Sequence, residues 1–240
     1  MKKLYFDCCT STNDVLKREH GDLLAAVAEE QTAGRGQRGN RWYSEAGRNL
    51  LFSVLTEPPG VQASEAFILS QAMALAIAVT LEKRLPQREV RIKWPNDIYV
   101  AGRKVCGILI ENDLQGKHLM RSIIGCGINV NQTDFPDGLV APATSLALET
   151  GKDEDRARLL DDVLSAFEAR YRSLCEGQYD DIRRDYHERL YQLGVKSRFE
   201  DAAGVFEGTI SHVEHDGHLI IRDAGGGNRR YAFKEVKIKL

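Results

Sequence analysis

The chain has 240 residues, 33 basic against 35 acidic side chains and a formal net charge of −2. Hydrophobic residues make up 42% and charged residues 28%, the balance of a soluble protein with one or two domains and a full core. That balance, with no basic arm, gives nucleic acid little to hold, and no unbroken apolar run approaches the roughly 18 residues that a bilayer span needs.

The first lysines meet Asp7 too early for a secretory signal. Ser11-Thr12-Asn13-Asp14 has hydroxyl and amide groups able to cap a short helix running to about residue 19. Strand-like segments follow at 23–28 and 49–55. Residues 64–85 then carry the longest helical signal, apolar on almost every face, which predicts a buried helix backing a sheet. Further strands are predicted at 90–94, 105–110 and 122–125. A one-sided helix over 154–174 has Leu160, Val163, Leu164, Phe167, Tyr171 and Leu174 at i, i+3, i+4, i+7 spacing. A last helix over 179–193 is predicted to stop at Gly194. This order gives an α+β fold, a mainly antiparallel mixed sheet with helices on one face, in a domain spanning 1–193. From 194 to 240 the pattern changes to short strands at 195–199, 205–210, 218–222 and 230–233, divided by glycine turns. That stretch reads as a small β-barrel domain leaning on the first. The five cysteines, Cys8, Cys9, Cys106, Cys126 and Cys175, form no CxxC pair and no zinc-spaced cluster. A reducing cytoplasm without disulfides is the expected setting.

The informative stretch is 32–48. Gly34 to Gly39 matches G-x-G-x-x-G, but no helix follows to receive a pyrophosphate, so the dinucleotide reading fails. What remains is a strand-to-strand loop with glycines at 34, 36, 39 and 47 and arginines at 35, 38, 41 and 48 against the single acid Glu45. Glycine lets backbone come close to a ligand, and guanidinium forks match carboxylate and phosphate, so the loop reads as an anion site. A second cluster is Lys93-Trp94-Pro95-Asn96-Asp97, read as an extended Trp94 followed by a sharp turn at Asn96-Asp97. The connection 101–103 then sets Lys104 beside the preceding strand. Finally, Gly125-Cys126-Gly127-Ile128-Asn129-Val130-Asn131 ends a strand in close-approach glycines and two amides.

In order and spacing these four stretches resemble the biotin protein ligases, from about Asp7 to Asn131, through Thr144 and into the small C-terminal barrel. The resemblance implies a class II synthetase-like biotin/lipoate ligase fold with an SH3-like barrel. It implies an enzyme that makes biotinyl-5′-AMP from biotin and ATP, then passes the biotinyl group to a lysine of the carrier domain of biotin-dependent carboxylases. On the matching positions, Ser11, Thr12, Asn13 and Gln31 would meet biotin's ureido ring. Arg35, Gly36 and Gln37 would close over it, and Lys104 with the Gly107 amide would hold its carboxyl end. Arg38, Arg41, Trp42, Lys93, Asn96 and Asn129 would take the nucleotide, and Asp97 would stand near the attacking carrier lysine. Lys104, Arg35 and Asp97 are the candidate catalytic residues. No acidic cluster would hold a metal unaided, so Mg2+ is expected to arrive on ATP.

Gln37 stands where the best-studied bacterial pattern has a second arginine, which weakens the grip expected on the adenylate. Ser11 comes too early to leave room for the DNA-binding module that some members carry, so no DNA partner is expected; a homodimer paired at sheet edges is. The rivals are a lipoate or octanoate ligase or transferase on the same scaffold, and a non-catalytic biotin or adenylate sensor. Polar Ser11, Thr12, Asn13 and Gln31 favour biotin over an acyl chain, and Lys104, Arg35 and Lys93 favour an enzyme over a sensor.

Overall fold

A computed structural model describes residues 1–39, 41–137, 139 and 141–239, all with their side chains except Arg38. The large sheet is built from β1 (Lys2–Cys9), β2 (Leu24–Gln31), β3 (Leu50–Thr56), β4 (Val90–Lys93), β5 (Asp97–Val100), β6 (Arg103–Gln115) and β7 (His118–Ile128), in the order β1-β2-β3-β7-β6-β5-β4. Only β1 and β2 run parallel; every other pair is antiparallel. β2 shows why its sequence is almost wholly apolar. Ala25 and Val27 face the main core, whereas Leu24 and Ala26 join a second cluster with Leu16, Leu55 and Ile123. Both faces are covered, so the usual polar alternation is suppressed.

The main core lies under α2 (Phe67–Arg84), which packs on α4 (Arg156–Cys175) and α5 (Asp180–Glu188). By length and mean hydropathy the stretch Ala63–Arg84 is apolar enough to cross a membrane, although no unbroken apolar run in it is long enough. Here 72% of its most apolar window is buried inside the protein. The expectation of helices on one face needs a correction. The short α1 (Thr12–Leu16) packs on β2, β3 and β7 from the opposite side, closing the second cluster. α5 also ends earlier than Gly194. After Glu188 the chain turns alongside β4, with Ile92 N donating to Arg189 O and Tyr191 N to Ile92 O, and these bonds replace helical ones.

β1 and α3 (Leu146–Thr150) were not expected from sequence. β1 matters for the site: its register runs from Lys2 opposite Leu24 to Cys9 opposite Gln31, so the chain leaves it with Ser11-Thr12-Asn13 beside the end of β2. The C-terminal strands β8 (Lys196–Asp201), β9 (Gly204–Val213), β10 (Leu219–Asp223) and β11 (Asn228–Tyr231), plus an unexpected β12 (Lys237–Lys239), form a five-stranded antiparallel sheet, β11-β10-β9-β8-β12. Its Phe199, Ile210, Val213, Leu219, Ile221 and Tyr231 belong to the same continuous core as α2 and the large sheet.

Candidate active site

On the sheet face opposite α2 lies a cleft of about 730 Å³, within the range of small-molecule sites. Its floor is backbone. Gly107 on β6 faces Gly127 on β7 across the ladder, and Leu109 faces Gly125. Strand alternation sends Cys106 and Cys126, each next in sequence to a floor glycine, into the core, where burial pushes both thiols far up and leaves them inert. A Cβ on Gly125 would lie 2.3 Å from Asn13 Oδ1, and one on Gly127 would lie 2.4 Å from the Trp42 indole. These positions are bare because ligand-facing groups come down onto them.

One end of the cleft is a polar network. Thr12 N donates to Gln31 Oε1 at 2.7 Å, Thr12 Oγ1 meets Ser53 Oγ at 2.6 Å, and Ser53 Oγ donates to Asn13 Oδ1 at 2.6 Å. Asn13 Nδ2 donates in turn to Glu111 at 2.7 Å. Ser11 occupies the N-cap position of α1 but its side chain caps nothing. The capping expectation therefore gives way: Ser11, Thr12 and Asn13 are buried, and the last two spend their polar atoms on one another's neighbourhood rather than on helix ends. Ser53 and Glu111 were missed from sequence. A lone serine inside the apolar run Leu50–Thr56 was the available signal for the first.

Arg35 sits at the mouth of this end in a two-pronged pair with Asp14, at 3.0 and 2.8 Å, and within 3.4 Å of Glu111. The Arg35 bond holds the Asp14 carboxyl below its usual value. At Glu111 burial pushes upward, but the bonds from Lys17 and Asn13 outweigh it and the net shift is downward.

Lys104 stands mid-cleft. It lies beside the preceding strand as expected, although the turn is shorter than 101–103: Arg103 already pairs with Val100, Lys104 faces Tyr99, and its Nζ pairs with Asp97 at 2.7 Å and lies 5.6 Å from the Trp42 ring centroid. Lys93 Nζ donates to the buried Tyr99 hydroxyl at 3.0 Å, and burial lowers its pKa against the opposing pull of Asp97. The turn beside it differs from expectation. It occupies Trp94-Pro95-Asn96, with a cis bond between the first two, and Asp97 already pairs with Lys93 across β4 and β5. Asn96 is tied to β6, its amide donating to Ile108 O while its own carbonyl accepts from Ile108 N.

The far end holds Trp42 and Asn129. Asn129 Nδ2 donates to Thr144 O at 3.0 Å, which fixes the amide and leaves Oδ1 aimed as an acceptor. Asn129 Oδ1 and Trp42 Nε1 are both buried and have no partner. Buried polar atoms are rarely left so, and one acceptor with one donor in a single cleft is what a polar heteroaromatic ring would satisfy. Gln31, Gly36, Gln37 and Arg41 also line the cleft, so every described residue expected from sequence is gathered here. The Arg38 side chain lies outside the described residues. Sequence reasoning missed the roof, where the C-terminal sheet adds Lys234, Val236, Lys237 and Ile238, and where Lys234 Nζ donates to Gln37 O at 3.0 Å.

The family model for the biotin/lipoate A/B protein ligase family matches residues 5–129. The chain is 32% identical to the bifunctional ligase/repressor BirA of Bacillus spizizenii over 95% of its length and 72% of that protein's. It is also 32% identical to the biotin–[acetyl-CoA-carboxylase] ligase of Paracoccus denitrificans, over 83% of this chain and 84% of that one. Among solved structures, a biotin protein ligase from Aquifex aeolicus in complex with biotin and ATP superposes with a TM-score of 0.82 at 28% identity, covering 99% of this chain and 98% of that one. A match over more than half the chain, together with the cleft that its motifs build, makes this chain a member of the biotin/lipoate A/B protein ligase family.

Proposed function

We propose that the protein is an ATP-dependent biotin–protein ligase that forms biotinyl-5′-AMP and transfers the biotinyl group to a lysine of a biotin carboxyl carrier domain. The observation that carries this reading is the order of groups along one cleft. A ureido-sized network of Thr12, Asn13, Gln31 and Ser53 lies at one end, the Lys104 ammonium lies between, and the unpartnered Asn129 Oδ1 and Trp42 Nε1 lie at the other. A bare acyl chain needs only apolar walls, so the polar end favours biotin over lipoate or octanoate.

In the first step a biotin carboxylate oxygen bonds to the α-phosphorus of ATP, the bond to the bridging oxygen breaks, and pyrophosphate leaves. Bringing a carboxylate to a triphosphate costs about 1–4 kcal/mol for each like-charge pair at 4 Å. Lys104 is the fixed cation that offsets this, Lys93 and Arg35 add to it, and charge growing on the phosphorane meets cations that need no reorganisation. Adenine would stack on Trp42 and give its amino proton to Asn129 Oδ1. In the second step the carrier lysine amine bonds to the acyl carbon, AMP leaves, and Asp97 takes the proton that the amine loses. Asp97 is already paired with Lys104, and Glu111 at the other end of the cleft with Asn13 and Lys17, so magnesium would enter on the triphosphate and keep most of its waters. The same reading includes a cytoplasmic setting, in keeping with five free cysteines, and pairing of two chains through an edge of the large sheet, where β1 and β4 are the end strands.

Pyrophosphate release on mixing the protein with ATP and biotin, run beside ATP with lipoate or octanoate, tests the first step. Mass spectrometry of an added carrier domain tests the second. Release with biotin and a carrier heavier by one biotinyl group are expected; release with lipoate alone, or with neither acid, refutes the reading.

A further inference from the structure

Trp94 belongs to the turn between Lys93 and Asp97, yet its indole is engaged elsewhere. Nε1–H donates to the Gly217 carbonyl at 2.9 Å, and the ring meets Phe233 edge-on with centroids 5.5 Å apart. Gly217 closes the turn between β9 and β10, its N–H bonding Glu214 O at 2.9 Å. Its φ of +92° suits glycine, and a Cβ there would lie 2.9 Å from the Phe67 ring and 3.4 Å from Phe233. Phe67, Phe233 and Trp94 thus press that carbonyl into one position. On the other flank of the same three-residue turn, Asn96 is bonded to Ile108 through both side chain and backbone. The turn is therefore bolted twice, to the large sheet through Asn96 and to the C-terminal sheet through Trp94. The residues on either side of it are Lys93, aimed at Tyr99, and Asp97, paired with Lys104.

We propose that Trp94 is a positioning residue for adenylate formation. Through its bond to Gly217 the C-terminal sheet fixes the 94–96 turn, and with it the Lys93 ammonium and the Asp97–Lys104 pair. The inference rests on the ligase reading above. A turn tied at Asn96 alone keeps its hydrogen-bonded ladder but gains freedom at the Lys93 end. A displacement of about 1 Å in a charge-stabilising group is enough to slow chemistry roughly a hundredfold. The ureido-binding end is built on α1, β2 and β3, whereas the turn is anchored on β6 and on the β9–β10 turn, so acid binding should be spared.

The test compares wild type, Trp94→Phe, Gly217→Ala and the double variant, using pyrophosphate release with whichever acid the wild-type chain activates. Trp94→Phe keeps a ring against Phe233 and removes the N–H together with part of the indole's packing area. Its kcat should fall about ten- to a hundredfold, with the KM for the acid within about twofold of wild type and a melting temperature lowered by no more than a few degrees. Gly217→Ala should show the same split, and the double variant should be no slower than the slower single variant, because both cut one link. Wild-type kcat in Trp94→Phe overturns the proposal. So does a rise in KM that keeps pace with the loss of kcat, or a double variant whose losses multiply. Should Gly217→Ala fail to fold, Trp94→Phe decides alone. Failure of the ligase reading shows separately, as a wild-type chain that releases no pyrophosphate with biotin.

Discussion

A methyl group at Gly125 would lie 2.3 Å from Asn13 Oδ1, so Gly125→Ala must either displace the Asn13 amide or bend β7. Because Asn13 is bonded to Ser53 and Glu111, the side chain has little room to yield. The expected result is a biotin KM raised at least about tenfold with kcat nearly unchanged, a loss of uniform binding visible in initial-rate kinetics. Lys104→Ala differs in kind. It removes the mid-cleft cation that the developing phosphorane needs, so kcat for pyrophosphate release should fall roughly 100- to 1,000-fold. Lys104 is partly exposed, and its loss removes a charge rather than a core side chain, so the melting curve should stay where it is. A variant that still turns over normally would remove Lys104 from the chemistry.

Among the elements, the loop after β2 shows how charge can hold a segment without burying it. Arg35 links that loop to Asp14 on α1 and to Glu111 on β6, and Lys17 joins the same carboxylates. Both carboxyls titrate below their ordinary values, so the link is complete above the free-acid range, about pH 4–5, and is lost as pH falls through the lower folded values. The difference in melting temperature between wild type and Arg35→Gln should therefore be steady near neutrality and shrink below about pH 4; a difference that widens on acidification would contradict the link. The glycine-rich loop should also be cut by trypsin in the free protein and protected by biotin with ATP. Much of this region was legible in the sequence, because glycines and arginines alternate in one stretch and because a short connection after Val100 sets Lys104 beside the preceding strand. β1 was not legible: its Lys2, Lys3 and Asp7 dilute the strand pattern, and only pairing with β2 makes it regular. Nor was the contribution of Ser53, since a serine between Phe52 and Val54 reads as a small core residue until α1 is seen above it. The roof residues Lys234 and Lys237 depend on how two sheets meet, and no local pattern encodes that.

At the scale of the molecule, the two sheets share one core, and Phe67 is a hinge pin between them. Its ring meets Tyr186 of α5 at 6.0 Å and Phe233 at 5.8 Å, centroid to centroid, and it is only 8% exposed. Phe67→Ala should cost about 3–5 kcal/mol, lowering the melting temperature by roughly 6–20 °C for a chain of this size. Wild type should melt in a single transition in calorimetry, because the hydrophobic cluster runs without a break from Ala25 to Val236. Two resolved transitions would mean that the C-terminal strands fold on their own account.

The glycine floor has a consequence for anyone wishing to alter what the cleft accepts. A pocket walled by side chains can be re-cut by exchanging rotamers or trimming residues, but this one rests on peptide groups already committed to the β6–β7 ladder. At Gly107, Gly125 and Gly127 there is no side chain to trim, and a methyl group added at any of them meets Trp42, Lys104 or Asn13. Analogues of different length or bulk must be admitted from above, through the arginine-bearing loop and the C-terminal strands, so mutagenesis libraries aimed at new cargo belong on the lid rather than the base.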